Sequence, residues 1–92
     1  MSLSAGDEVL VKNDWPETRG PAHIRTPHYV RGRRGRVVRP LGVFPNPEDL
    51  AFARAAAPRA LYHVSFAMHE LWPEGGGDEV IVELYEHWLE RP

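Results

Sequence analysis

The sequence predicts an all-β fold, a small, partly open barrel of about five short strands with long loops and short helical turns. Three observations predict it. Apolar residues recur at period two in several short runs, proline and glycine break the chain between those runs, and 92 residues hold only a modest core. A chain of this size removes about 60 to 65% of its unfolded surface from water, so residues 1–92 are expected to form a single domain. Three Trp, three Tyr and three Phe among 42% hydrophobic residues supply that core and argue against wholesale disorder.

Taken in order, Gly6-Asp7 turns into a first strand, Glu8-Val9-Leu10-Val11-Lys12, with Val9 and Val11 on one face. Pro16, Gly20, Pro21, Pro27 and Gly32 then interrupt residues 13–33, which predicts a long ordered loop; such loops inside compact domains are usually functional. A second strand, Gly35-Arg36-Val37-Val38-Arg39, is expected to close at Pro40. Asn46 as a cap, Pro47 at the first helical position and the acids Glu48 and Asp49 predict a helix of about three turns from Pro47 to Ala57. With only Leu50 and Phe52 as large apolar residues, it reads as a surface insertion. A third strand, Leu61 to Phe66, puts Tyr62, Val64 and Phe66 on the core face. Phe66 to Trp72 reads as a helical turn, Gly75-Gly76-Gly77 as a flexible connector and Glu79 to Tyr85 as a β-branched fourth strand. Trp88-Leu89-Glu90 forms a short fifth after a helical turn.

The chain has no cysteine, which excludes disulfides, a thiol nucleophile and any Cys-based zinc or iron–sulfur site of its own. His23, His28, His63, His69 and His87 show no ligand spacing, so no metal site is assigned to this chain. Nucleophile-elbow, Walker-type and dinucleotide glycine patterns are missing. The N-terminus has neither a basic region nor a long apolar run, and no run of about 18 apolar residues occurs, so a cytoplasmic protein without membrane contact is expected.

Charge is segregated along the chain. Residues 1–17 carry one Lys and four acids, residues 18–47 seven Arg and no acid, and residues 48–92 nine acids and three Arg. A basic middle of this kind needs an anionic partner, an acidic face in its own fold, or both. Arg25, Arg31, Arg33, Arg34, Arg36 and Arg39 dominate it, against one Lys in the whole chain. Arginine offers a planar fork that grips two oxygens of an oxyanion, so the bias favours fixed bidentate recognition. Residues 23–32, His-Ile-Arg-Thr-Pro-His-Tyr-Val-Arg-Gly, interleave Ile24, Pro27, Tyr29 and Val30 with the charges. Pro27 stiffens the segment and biases Thr26 toward extended backbone, which lets Arg25 be aimed. Arg33, Arg34, Arg36 and Arg39 are equally read as partners for the acidic segments.

These residues resemble the C-terminal domain of the nitrile hydratase beta subunit, in the right order through most of the chain. Gly6-Asp7-x-Val9-x-Val11 is similar to the family's opening strand, and His23-x-Arg25-x-Pro27-x-Tyr29-Val30-Arg31-Gly32-x-x-Gly35-x-Val37 to its loop and second strand. Phe44-Pro45, Leu61-Tyr62-His63-Val64-x-Phe66, Glu70-Leu71-Trp72 and Val82-Glu83-Leu84-Tyr85-Glu86-x-Trp88-Leu89-Glu90 resemble the family's later segments.

The resemblance implies an SH3-like barrel and a complex, a lyase, that hydrates a nitrile to an amide, with this chain inactive alone. It implies a cobalt(III) or iron(III) ion held by a cysteine-rich loop of a partner alpha subunit, two of whose cysteines are oxidised to sulfenic and sulfinic forms. The position matching Arg25 donates hydrogen bonds to those oxygens, while His23, Pro27, Tyr29, Arg31, Gly32 and Gly35 shape the loop or its interface. The helical N-terminal half of the beta subunit, which contributes a second arginine, is missing, so a separate chain is expected to supply it. That arrangement resembles three-subunit enzymes with a split beta chain, such as toyocamycin nitrile hydratase, a cobalt enzyme acting on the nitrile of a nucleoside antibiotic. Thiocyanate hydrolase is also built from split chains.

Two other functions stay open on sequence. A metallation or assembly factor that borrows the same surface differs in being absent from the purified active complex. An RNA-binding barrel is suggested by Gly6-Asp7-x-Val9 and Gly32-x-x-Gly35-x-Val37 on a basic loop, but the sequence pI near 6.2 and the lack of clustered stacking aromatics in the loop beyond Tyr29 argue against nucleic acid.

Overall fold

The computed structural model describes residues 3–20, 22, 24–52, 55–72 and 74–92. Five strands, β1 (Glu8–Val11), β2 (Arg34–Pro45), β3 (Pro58–Ala67), β4 (Glu79–Tyr85) and β5 (Leu89–Glu90), alternate with two one-turn helices, α1 (Pro47–Leu50) and α2 (Met68–Leu71). Single 3-10 turns lie at Pro16–Thr18, His28–Val30 and Glu86–Trp88. The strands form one antiparallel sheet in the order β4-β3-β2-β1-β5, and β4 and β5 remain as its two edges, so the sheet curls without closing. The all-β class and the strand count agree with the sequence.

Period two explains the core. Val9 and Val11 of β1, Val37 of β2, Tyr62, Val64 and Phe66 of β3, and Leu84 of β4 are buried on one face. Leu3, Val30, Leu71, Trp88 and Leu89 close it from the termini, the long loop and the turns. Gly35 sits in β2 where a Cβ would lie 2.7 Å from Val64 Cγ1 and 2.8 Å from Phe66 Cε1, so the two strands approach closely only because that position has no side chain.

Four expectations need correction. β2 does not close at Pro40 but runs on to Pro45. The β2–β3 register shifts between Val37 and Arg39 and again between Pro40 and Gly42. β1 pairs with β2 only up to Arg36. Pro40 therefore falls between two bulges on a stretch with no second neighbour, where its missing N–H costs no ladder bond. The helix after Asn46 is one turn, not three. Asn46 Oδ1 does accept from the Glu48 amide at 3.0 Å, but α1 buries no residue, and a helix without an anchored apolar face does not propagate. β3 starts at Pro58 and takes in Phe66 and Ala67, leaving only Met68–Leu71 for the helical turn. Gly75 is a packed residue rather than part of a free connector, because a Cβ there would lie 2.5 Å from the Met68 carbonyl carbon and oxygen.

Candidate functional site: the arginine loop and its clamp

The loop between β1 and β2 is closed at its base by paired backbone bonds: the Val11 amide donates to Arg33 O and the Gly32 amide to Val11 O, both at 2.9 Å. Gly32 makes the closing turn with φ of 76°, a left-handed conformation that favours glycine. Pro27, extended at φ −60° and ψ 142°, leads into the His28–Val30 turn, whose Val30 is buried in the core.

Arg31 holds the interior of the loop. Its side chain has 0% exposure. One terminal nitrogen donates to Glu17 Oε1 at 2.8 Å and to Asp14 O at 3.1 Å; the other donates to Glu17 Oε2 at 2.8 Å and to Thr26 O at 2.9 Å. The guanidinium carbon lies 4.7 Å from the Trp15 ring centroid and 4.9 Å from that of Trp88, so the cation is sandwiched between two indole faces. Only its Nε is buried without a partner among the described residues. Paired, hydrogen-bonded and stacked, the charge tolerates burial. Glu17 also accepts from His28 Nε2 at 3.2 Å. The Arg31 hydrogen bonds, then the residue's own backbone amide, hold its carboxyl down to about 2.

Trp88 links this clamp to α1. Its Nε1 donates to Glu48 Oε2 at 2.7 Å, and His87 Nε2 lies 2.9 Å from the same oxygen. Glu48 belongs to α1, so the surface insertion is tied to the rest of the fold at the residue that covers Arg31.

Arg25 stands one residue before the clamped Thr26 carbonyl. It is exposed and has no hydrogen bond or ion pair among the described residues. With Thr26 and Pro27 it lines a recess of about 310 Å³. Pro47, Glu48, Leu61, Val82, Glu83 and Tyr85 line the rest of it. His63 Nε2 lies 3.5 Å from Glu83 Oε2. A free, planar donor held on a pinned backbone can reach outward to a bidentate acceptor on another molecule.

The other arginines are placed differently. Arg36 donates to Gly6 O at 2.9 Å and to Glu8 Oε1 at 3.2 Å, Arg34 lies 4.0 Å from Glu8, and Arg19 is paired with Asp14 at 2.9 Å. The Arg19 hydrogen bond holds the Asp14 carboxyl below its usual range. Arg39 Nε donates to His63 Nδ1 at 3.1 Å. The acidic N-terminal segment thus takes up much of the basic middle, and exposed Arg33 joins Arg25 as a side chain without such a partner among the described residues. Tyr29 is exposed with its ring 5.3 Å from that of Trp72, and Gly35 lies in the β2 core face rather than in the loop. His23 lies outside the described residues.

Sequence reasoning does not single out Glu17, Trp15, Trp88 or Glu48 as site residues. Each looks ordinary where it stands, and the clamp assembles only when residues from opposite ends of the chain meet. Among the described residues no three His, Asp or Glu side chains are grouped to hold a metal ion, and no helix is long and apolar enough to cross a membrane.

Comparison with known proteins agrees with this outline. Residues 2–91 match the family model of the nitrile hydratase beta subunit, C-terminal. The beta subunit of the low-molecular weight cobalt-containing nitrile hydratase of Rhodococcus rhodochrous is 35% identical over 91 residues, 96% of this chain and 38% of that one. The thiocyanate hydrolase alpha subunit of Thiobacillus thioparus is 34% identical over 93 residues, 97% of this chain and 71% of that one. A solved chain of thiocyanate hydrolase from the same organism, as recombinant apo-enzyme, superposes with a TM-score of 0.83 at 31% identity, covering 98% of this chain and 75% of that one. The chain spans about two fifths of the length of the nitrile hydratase relatives. With the fold, the loop and the match through residues 2–91 in agreement, the chain belongs to the nitrile hydratase beta subunit family, corresponding to its C-terminal part.

Proposed function

We propose that this chain is one subunit of a nitrile hydratase-like complex, a single SH3-like barrel domain over residues 1–92 that acts in the cytoplasm and is inactive alone. Arg25 is the residue it contributes to the reaction, donating both prongs of its fork to sulfenate and sulfinate oxygens on a cysteine-rich partner chain. One observation carries this reading: Arg25 is an exposed guanidinium without an intramolecular partner among the described residues, on backbone pinned by Arg31 through Thr26 O at 2.9 Å. Arg25 is a positioning residue, since it holds oxidised ligands in geometry and transfers no proton. Arg31, Pro27 and Gly32 hold its backbone, and Tyr29, exposed on the same loop, belongs to its interface.

The donor set of this chain does not fit a cobalt or iron thiolate site, because it has no Cys and no His/Asp/Glu cluster among the described residues. A metal, cobalt by likeness to the Rhodococcus rhodochrous protein, would then be held by the partner's residues and would supply Lewis-acid chemistry there.

A thiocyanate-hydrolysing complex is the second reading, favoured by the 71% of the thiocyanate hydrolase alpha subunit that this chain covers. Co-expression with the neighbouring reading frames, followed by native mass, metal analysis and parallel assays on nitriles and thiocyanate, tests both. The expected result is a metal-bearing complex containing this chain that forms amide from nitrile. Activity on thiocyanate alone selects the second reading, and a purified active complex without this chain contradicts both.

A further inference from the structure

Beyond the strands that flank them, β2 and β3 run on as a two-stranded arm. β1 stops pairing with β2 at Arg36, β4 pairs with β3 only from Leu61, and residues 43–45 and 58–60 pair only with each other. Two-stranded ribbons are marginal without support. Here support comes from the arm's own closure, with the Asn46 amide donating to Ala57 O at 3.1 Å, and from the Glu48 carboxylate on Trp88 and His87.

This arm carries half of the molecule's exposed large apolar side chains among the described residues. Val43 is 64% exposed, Leu50 57%, Phe44 42% and Phe52 41%. Val43 and Phe44 are consecutive in β2 and point to opposite faces of the ribbon, so the arm exposes apolar side chains on both sides, and extended exposed apolar surface marks interaction sites. Its position says which contact. Pro47 and Glu48, which follow the end of β2, line the same recess as Arg25 and Thr26. Trp88 ties the arm to the arginine loop, because its ring face packs on Arg31 at 4.9 Å and its N–H is held by Glu48 at 2.7 Å, while Arg31 holds Thr26 O at 2.9 Å.

We infer that the arm is a docking lip for the same partner chain that receives Arg25. The partner covers Val43, Phe44, Leu50 and Phe52 with apolar surface while Arg25 enters its active site, and the Trp88 linkage keeps lip and arginine in fixed relation. This rests on the proposed function, and names the part of the surface that supplies binding rather than chemistry. Apolar burial at the lip contributes affinity; the single guanidinium contributes alignment.

The test is association of the full-length chain with its co-expressed partner, for wild type and for Val43→Lys together with Leu50→Lys. Both side chains lie outside the core, so the variant is expected to keep the wild-type melting temperature. Its affinity for the partner should fall by about tenfold or more, the effect of losing central apolar contacts. In the wild-type complex, backbone amides of residues 42–52 should also gain protection from hydrogen exchange. Unchanged affinity in the variant, or an arm that gains no protection, overturns this inference alone. Failure of the wild-type chain to assemble overturns the proposed function and this inference together. A wild-type chain that is dimeric by itself and becomes monomeric in the lysine variant assigns the patch to a second copy, which also overturns it.

Discussion

A guanidinium with no exposed surface destabilises a fold unless nearly every direction around it is satisfied, and Arg31 comes close, with four hydrogen bonds and an indole on each face. Replacing it by Ala should cost about 3 kcal/mol, the lower end for a broken buried pair because Glu17 keeps contact with water. Denaturant unfolding of the two proteins measures this, and a loss within experimental error would mean the clamp holds nothing. The partner residue sets a pH dependence. Glu17 has its folded pKa lowered from 4.5 to about 2, so its contribution is complete above pH 4.5 and disappears as pH falls toward about 2. Glu17→Gln should remove that acid-side slope from the melting temperature and leave the neutral-pH slope alone. Legibility in the sequence varies by residue. The arginine bias and the stiffening by Pro27 are visible in the chain, and they point to Arg25. The caging of Arg31 is not visible there, since burial of a cation depends on Trp15 and Trp88 meeting around it, and no spacing in the sequence records that meeting.

Among the elements, the strands are legible where period-two alternation is uninterrupted. Val9 and Val11, or Tyr62, Val64 and Phe66, each announce a buried face. Legibility fails where backbone hydrogen bonding rather than side-chain pattern decides. Pro40 reads as a stop, yet it is tolerated because β2 is bulged on either side and β1 has already left. The sequence from Asn46 has a cap, a proline and acids in place, yet only Pro47–Leu50 is helical, because capping nucleates a turn and buried apolar contact extends it. Gly35 offers the sharpest check on the packing of β2 against β3. Gly35→Ala introduces a methyl 2.7 Å from Val64 Cγ1 and should destabilise by about 1–3 kcal/mol, read as a lower denaturation midpoint at unchanged slope. An alanine variant as stable as wild type would show that β3 can retreat from β2.

Across the whole molecule, the five-stranded sheet serves to hold one loop against one arm. The core strands fix the base of the loop, Arg31 fixes its interior, and Trp88 with Glu48 fixes the arm beside it. Native-state hydrogen exchange should show this hierarchy in the isolated chain, with β3 amides from Tyr62 to Phe66 exchanging last and those of α1 earliest, because α1 buries no residue. Equal protection in both would contradict it. Family membership follows from the chain; the proposed reaction rests on the proposed partner. The most direct measurement is the turnover of the assembled, metal-bearing complex at saturating nitrile, compared between the wild-type chain and Arg25→Lys. Lysine keeps the charge and loses the fork, so the substitution should lower kcat by about 10- to 100-fold with assembly intact. Wild-type kcat in the Arg25→Lys complex would contradict the role given to Arg25.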